Sequence, residues 1–288
     1  MHARFACFIA LALPAVAHAG FPEDVTPSSM TDQGGVRVVD SALLGEAYAR
    51  MIRELGASID SSTLLPARTL GASGFEMVAE SNISFIDTKN NDGTPSTWER
   101  VTPDESPSKV FFAPGISLRK GLPLSIEVGA TARWIGNTRQ GIFGGFVHAG
   151  LLENFEPWPD LGLHVGYTGY IGNDELELGV LDAGLTLGGS FRPGGKDRLR
   201  AVEVSPFADA SLQLVTATPT LDADTIATIG AVTYGKRGGD PTTNSKAVLM
   251  PRFSGGLQIR AAHLVIRLSG SYSLKAVPSV AAAIGYTY

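Results

Sequence analysis

The chain has 288 residues, a formal net charge of -5, 18% charged residues and 34 glycines. This mild acidity gives no reason to expect a nucleic acid as a partner. Its one cysteine is Cys7, so disulfides and thiolate metal sites are excluded downstream of that residue.

Residues 1–19 have the pattern of a secretory signal peptide. Arg4 precedes an uncharged run from Phe5 to Val16, and a small-x-small cleavage site ends at Ala19. The run is too short to span a bilayer. Cys7 lies inside it and is not placed to be the first mature residue, so a lipoprotein is not expected. We therefore expect an exported protein.

Residues 20–73 lack strand alternation and are predicted to be a mobile segment carrying one amphipathic helix at about 41–56. Asp40 or Ser41 can cap its start and Gly56 suits its end. The apolar stripe of the helix must pack on something, and we expect the segment to dock on the periplasmic side of the protein. The sequence leaves open whether the helix plugs the barrel mouth. A helix lying on a membrane surface is the alternative. The stripe consists of Leu44, Tyr48, Met51, Ile52 and Leu55.

From Gly74 to Tyr288 the hydrophobic pattern has a period of two. Phe75 and Met77 alternate with Glu76, for example, and many of the segments match the ~9–11 residues of a tilted membrane strand. About ten strands are predicted, beginning near Phe75, Val110, Leu122, Ile142, Leu161, Leu176, Ala201, Val248, Ala262 and Val280.

The connections between these strands are asymmetric. If the strands run up and down, the two long connections, Asp87–Lys109 and Ala217–Ala247, fall at one end. The connections at the opposite end are all short, which is the asymmetry of bacterial outer-membrane barrels. Eight or twelve strands are the alternatives, because residues 225–234 are able to add a hairpin.

The polar faces of the strands carry acids and arginines in similar numbers. In a barrel of about ten strands, these side chains face a narrow interior. Both a salt-bridged polar core and a hydrated solute path fit such an interior. If the barrel conducts, the residues predicted to line the path are Glu80, Glu127, Arg133, Asp209, Arg252 and Arg267.

One loop comes close to a calcium-binding pattern. Asn90, Asp92, Gly93 and Glu99 have the spacing of such a loop, but Thr88 stands where the first aspartate belongs. A solvated, turn-rich loop is the preferred interpretation. We therefore expect no metal site and no cofactor.

Catalytic patterns are weak. No H-E-x-x-H or G-x-S-x-G sequence occurs. His148 and His164 lie mid-strand and His263 lies at a turn, so none is predicted at the outer rim beside a serine or aspartate. We assign no catalytic residue and expect a protein that is not an enzyme.

The signal peptide, the alternating strands, the scarcity of cysteine and the final IGYTY together resemble bacterial outer-membrane β-barrel proteins. In that class the last strand commonly ends on an aromatic residue, preceded by apolar residues at every second position. Here Tyr288, Tyr286 and Ile284 match that pattern, while Ala283 stands where a glycine is often found. The resemblance implies that the barrel-assembly machinery reads these residues. It also implies a location in the outer membrane, in contact with its lipid.

We therefore predict an all-β protein: a closed antiparallel transmembrane barrel over residues 74–288, preceded by the helical segment. The function that fits best is a narrow porin-like channel for small solutes, or a structural barrel that displays its long loops. A barrel enzyme of the lipase or protease type is the first alternative. A soluble secreted β-sandwich that binds a ligand is the second.

Deleting Tyr288 is expected to reduce assembly, because the terminal aromatic then no longer lies at the membrane interface. The measurement is the yield of heat-modifiable barrel in outer-membrane fractions. An unchanged yield would contradict the role assigned to this residue.

Overall fold

A computed structural model describes residues 23–33, 36–37, 40–60, 65–88, 95–102, 107–155, 158–192, 202–235 and 248–288. The predicted signal peptide lies outside these ranges. In the described part of the chain, no helix combines the length and the apolar character that a membrane crossing requires.

Ten antiparallel strands pair into a closed barrel. In chain order they are β1 Phe75–Phe85, β2 Val110–Leu122, β3 Ile126–Trp134, β4 Gly141–Leu152, β5 Asp160–Ile171, β6 Leu176–Gly188, β7 Val202–Pro219, β8 Val248–Ala261, β9 Leu264–Ser273 and β10 Pro278–Thr287. Each strand pairs with the next, and β10 returns to β1, where Thr287 lies opposite Glu76. The predicted closed antiparallel barrel is confirmed, and the alternative of a β-sandwich is wrong.

Among the described residues, three α-helices accompany the barrel: α1 Ser41–Ile59, α2 Thr97–Val101 and α3 Ala223–Ile229. α3 includes residues 225–229, the first half of the stretch 225–234 for which an extra hairpin is the alternative. The Asp222 carboxylate accepts hydrogen bonds from the backbone N–H groups of Asp224 and Thr225, and Gly230 ends the helix with a φ of 68°. Because these two caps favour a helical turn, the strand number stays at ten and not twelve.

The two ends of the barrel differ. We call the end that carries the connections 86–109 and 220–247 the loop end, and the end that carries 123–125 and 262–263 the turn end. Both long connections leave from the same end, as the sequence predicted. A short 3-10 helix, Pro27–Thr31, and a two-residue ladder, Asp32–Gln33 with Val36–Arg37, precede α1.

The outer face of the barrel is apolar. Many of the aromatic side chains on this face are 37% to 75% exposed. They are Phe75, Phe85, Phe112, Trp134, Tyr167, Phe191, Phe253, Tyr272, Tyr286 and Tyr288. Ile284 is exposed beside them, while Thr287 is buried on the inner face of the closing strand.

The first described residues lie at the loop end. Ser28 donates to the Glu175 carboxylate through its backbone N–H and its hydroxyl. The Asp24 carboxylate accepts from the backbone and the guanidinium of Arg139. These contacts bind residues 24–28 to two of the short connections, 172–175 and 135–140.

From there α1 enters the lumen. The side chains of Leu44, Tyr48, Met51, Ile52 and Leu55 are 0% exposed. Gly56 lies against Val215 of β7, so closely that a Cβ on Gly56 would stand 2.7 Å from a Val215 methyl group. Two residues further along the helix, the Ser58 backbone carbonyl accepts a hydrogen bond from the side-chain amide of Asn82 on β1.

The chain leaves the lumen at the turn end. The backbone N–H of Leu70 donates to Glu127, and that of Thr69 donates to Glu153. The N-terminal segment therefore threads the barrel from the loop end to the turn end before β1 begins. The expected docking of the helix on the turn side is wrong, because the apolar wall on which it packs lies inside the barrel.

Gly121→Ala is expected to lower the free energy of unfolding by about 1–3 kcal/mol, the usual effect of overpacking. A Cβ at Gly121 would stand 1.8 Å from the Gly71 carbonyl oxygen of the exiting segment. The matched control is Gly145→Ala, whose Cβ meets nothing nearer than 3.5 Å. Denaturant unfolding of the detergent-folded protein measures both. Equal losses in the two variants would contradict the close packing of this segment.

Candidate functional site: the plugged lumen

The half of the lumen nearest the loop end is apolar. The buried stripe of α1 packs there against inward-facing side chains of six strands, forming one hydrophobic cluster. The wall residues are Phe111, Ala113, Ile142, Tyr170, Leu176, Leu178, Val180, Val215, Ala217 and Met250. The predicted polar core is therefore wrong for this half, where the barrel and α1 together build an interior like that of a soluble protein.

The two long connections fold over α1. The Trp98 indole of α2 is 2% exposed, and its Nε1 donates to the Glu54 carboxylate of α1. The same carboxylate accepts from Arg50 Nε at 2.6 Å. From the other connection, Ile229 of α3 joins the same hydrophobic cluster. The helical parts of both connections thus cover the plug.

Glu99 has a local structural role. Its carboxylate accepts from the Ser96 backbone N–H at 2.7 Å, while the Ser96 hydroxyl accepts from the Glu99 N–H, so the two form a capping box for α2. The other oxygen-bearing residues of the calcium-like pattern, Asn90 and Asp92, lie outside the described residues, as does Gly93.

Tyr48 of α1 faces Tyr234 of the 220–247 connection, with ring centroids 6.3 Å apart. Its hydroxyl is buried without a hydrogen-bond partner among the described residues. Burial, and secondarily the neighbouring Tyr234, raises the pKa of Tyr48 above its ordinary range. The phenol therefore stays neutral and packs as part of the apolar plug.

The half of the lumen nearest the turn end is charged. Arg119 lies between two carboxylates, with nitrogen–oxygen distances of 2.8 Å to Glu76 and 2.9 Å to Glu127. Arg267 reaches Glu76 from the other side at 2.7 Å. His148 Nδ1 lies 3.2 Å from Glu127. These buried groups form one network across five strands, which is how charges are held in a low-dielectric interior.

A second network ties the plug to the wall. Asp60 follows α1 directly, and its carboxylate accepts from Arg252 Nη1 and from Gln213 Nε2, both at 2.6 Å. Its backbone carbonyl accepts from Arg133 Nη1 at 3.4 Å, while Arg133 Nε bonds to Glu80 at 2.8 Å. The end of the plug therefore contacts strands β3, β7 and β8 through charged or amide groups.

His164 lies between two aspartates beside that network. Its Nε2 is 2.7 Å from Asp182 Oδ1, and its Nδ1 is 3.4 Å from Asp209 Oδ2. Asp209 also accepts from the Thr186 hydroxyl at 3.0 Å. The other Asp182 oxygen, Oδ2, is buried without a hydrogen-bond partner among the described residues.

All of the predicted lumen residues face the interior, and each of them has a partner there. Besides the contacts above, Arg267 bonds to Gln258. They are Glu80, Glu127, Arg133, Asp209, Arg252 and Arg267.

Sequence reasoning missed Asp60, Glu54 and Trp98, because they lie outside the strands and nothing local indicates that they enter the barrel. His148 lies two residues after Phe146 on β4, so both side chains face the same side of the sheet. This alternation predicts that His148 faces the lumen.

A small polar cavity remains beside the plug. Its volume is about 40 Å³, and its lining includes Asp60, Arg133, Arg252, Ser269 and Ala283. A space of this size holds a few water molecules.

No protein-family model matches the chain. The search of curated protein sequences also found no match.

Several solved structures of bacterial barrels are similar. The transport unit of the autotransporter AIDA-I from Escherichia coli is 10% identical, covers 84% of this chain and 98% of its own, and has a TM-score of 0.40. Neisserial surface protein A is 15% identical over 75% of this chain and 97% of its own, with a TM-score of 0.28. Ail, the attachment invasion locus protein of Yersinia pestis, is 11% identical over 75% and 99%, with a TM-score of 0.25. At these identities and TM-scores none of them is evidence for what this chain does.

Arg119→Met is expected to cost about 3–5 kcal/mol of unfolding free energy, because it leaves two buried carboxylates without their shared cation. The control is Arg192→Met, at the turn end, whose ion pair with Glu203 is mostly exposed on the arginine side. That pair should contribute less than about 1 kcal/mol. Denaturant unfolding in detergent compares the two, and a similar cost for both would argue against a buried network.

Proposed function

We propose that this chain is an outer-membrane β-barrel protein whose lumen is held closed by its own N-terminal segment. The apolar outer face supports the membrane location. Soluble monomers rarely expose contiguous apolar patches larger than a few hundred Å². Here large apolar side chains are exposed on all ten strands of a closed sheet. A closed sheet pairs its backbone groups internally, which is what a bilayer demands.

The loop end faces the outside in this proposal, and the turn end faces the periplasm. Tyr286 and Tyr288 lie at the turn end, where both rings stack with His263 at centroid distances of 5.2 and 6.3 Å. Aromatic residues prefer the membrane–water interface. The partners proposed are outer-membrane lipid and, through Ile284, Tyr286 and Tyr288, the barrel-assembly machinery.

The single observation that supports a blocked lumen is the burial of α1 inside the barrel. In an open pore, water would reach the side of α1 that faces the lumen. In this structure the apolar stripe of α1 is fully buried. The charged half of the lumen is filled by side chains that pair with one another and with Asp60 at the end of the plug. We therefore favour a structural barrel over a standing channel for solutes. Small solutes pass in this proposal only if the plug moves.

No catalytic role is proposed. A lipase or protease needs a nucleophile and a base that its substrate can reach. The His164 cluster lies in the middle of the closed lumen, and His148 is 1% exposed. Neither imidazole is open to a lipid or peptide from outside.

The wild-type protein, recovered from outer-membrane fractions and reconstituted into planar bilayers, is expected to give no current steps above background. Leu55→Asp should give steps, because an unpaired carboxylate on the buried stripe opposes plug insertion. Leu43→Asp is the matched control, since Leu43 lies on the same helix but is 45% exposed.

Heat modifiability on gels shows which variants are folded barrels. Frequent current steps from the wild-type protein would overturn the proposal that the N-terminal segment blocks the lumen. Recovery of the protein as a soluble periplasmic species would overturn the membrane location.

A further inference from the structure

We propose that the barrel delivers its own N-terminal end to the cell surface through its lumen. Residues 24–31 then lie outside the cell, together with any residues that precede them in the mature protein. This inference rests on the proposed function, because it requires a barrel in the outer membrane with its loop end facing outward. The lumen is then an export route for this one segment as well as the place where the segment comes to rest.

The described part of the chain before α1 is fixed at the loop end. Val25 is 3% exposed, its backbone N–H donates to the Gln140 side chain at 3.2 Å, and its carbonyl accepts from Asn173 at 2.7 Å. The Thr26 N–H donates to the Val101 carbonyl at 2.7 Å. All three partners belong to connections of the loop end, so this part of the chain lies on the rim of the barrel there.

The chain just before β1 is fixed at the opposite end. Arg68 pairs with Asp160, the first residue of β5, at 3.1 Å. The backbone N–H of Gly121 donates to the Gly74 carbonyl at 2.9 Å. The stretches before and after α1 are therefore anchored at opposite ends of the barrel, with the helix between them in the lumen.

In the described part of the barrel there is no room for the chain upstream of Asp24 to return to the turn end. Outside the barrel lies lipid, where the unpaired backbone groups of an open segment are too costly. Inside, the cavity beside the plug has a volume of about 40 Å³, which holds a few water molecules but not a second pass of backbone. The segment before α1 therefore stays on the side where it is anchored.

This arrangement requires that the segment crosses the membrane. The predicted signal peptide delivers the chain to the periplasm, and β1 begins at the periplasmic end of the barrel. Residues 24–31 must then pass to the loop end, and the lumen is the path along which the chain lies. Burial of the apolar stripe of α1 against wall residues such as Leu178 and Val215 favours the crossed state.

The width of the lumen limits what is able to pass. A helix with its side chains is about 10–12 Å wide, and α1 already lies against the wall and the loops. Gly56 contacts Val215, and a Cβ on Gly45 would stand 3.4 Å from the Gly230 carbonyl oxygen. A folded domain of about 100 residues has a radius of gyration of about 13 Å and is too wide. Delivery therefore requires that the N-terminal end is unfolded when it crosses.

Three single cysteines test where each part of the chain lies. Glu23→Cys reports on the stretch before α1, Ala223→Cys on the loop end and Ala72→Cys on the turn end. Ala223 and Ala72 are exposed and Glu23 is half-buried. The label is a maleimide on a polymer too large to pass porins, applied to cells before and after the outer membrane is permeabilised. The unsubstituted chain, whose one cysteine is Cys7, gives the background.

Glu23→Cys and Ala223→Cys are expected to react as fully on intact cells as after permeabilisation. Ala72→Cys is expected to react only after permeabilisation. Heat modifiability on gels shows that each variant is a folded barrel.

A pair of fusions tests the route. A disulfide-bonded domain of about 100 residues that does not fold without its disulfide is inserted directly before Glu23, with an epitope at its start. The matched control has serines in place of the domain's cysteines. The control is expected to show its epitope on intact cells, whereas the disulfide-bonded version should lose that signal and keep it after permeabilisation. Growth with a thiol reductant should restore the signal.

Each outcome decides one point. If Glu23→Cys is protected on intact cells while Ala223→Cys reacts, the delivery is overturned and the membrane barrel keeps its proposed orientation. If both are protected while Ala72→Cys reacts, the proposed orientation is overturned instead. If all three react only after permeabilisation, the membrane location is overturned. Equal display of the two fusions would overturn the lumen as the route.

Discussion

The structure depends on how the space inside a ten-stranded sheet is filled. A barrel of this size encloses slightly more volume than its own inward side chains occupy. On the loop side the inward residues are apolar, among them Leu176, Val180 and Val215, and cannot be left facing water. The apolar stripe of α1 fills that volume, which places the N-terminal segment inside the barrel. Two surfaces that are each unfavourable in water are buried against each other.

The two halves of the lumen contribute different properties. Apolar packing around Met51 and Leu55 supplies a non-directional attraction that holds α1 in the lumen. The charged half supplies geometrically specific contacts, because guanidinium–carboxylate pairs such as Arg119–Glu76 form only in a defined orientation. Asp60 lies where the two halves meet and belongs to both the plug and the charged network. Any movement of the plug must therefore break a specific contact, and the apolar packing alone does not determine its position.

Much of the barrel was predictable because strand signals are local. A period of two between Phe75 and Phe85 identifies both the strand and its lumen side, and Glu76 and Glu80 were assigned correctly. The apolar half of the lumen was also readable in principle. Leu176, Leu178 and Val180 share the inward parity of Asp182, so one inner wall is apolar at one end and acidic further along. The helix in residues 223–229 was missed because its alternation resembles a strand and its caps decide the outcome.

The sequence by itself determined the strands, the side of each strand that faces inward, the two long connections at one end and the existence of α1. Periodicity and capping act between near neighbours in the chain, so these features need no tertiary information. Only the tertiary structure decided that α1 lies in the lumen, that Glu54 meets Trp98 and that Asp60 meets Arg252. Those contacts join residues far apart in sequence, and they form because closing the sheet leaves one interior volume that this segment enters.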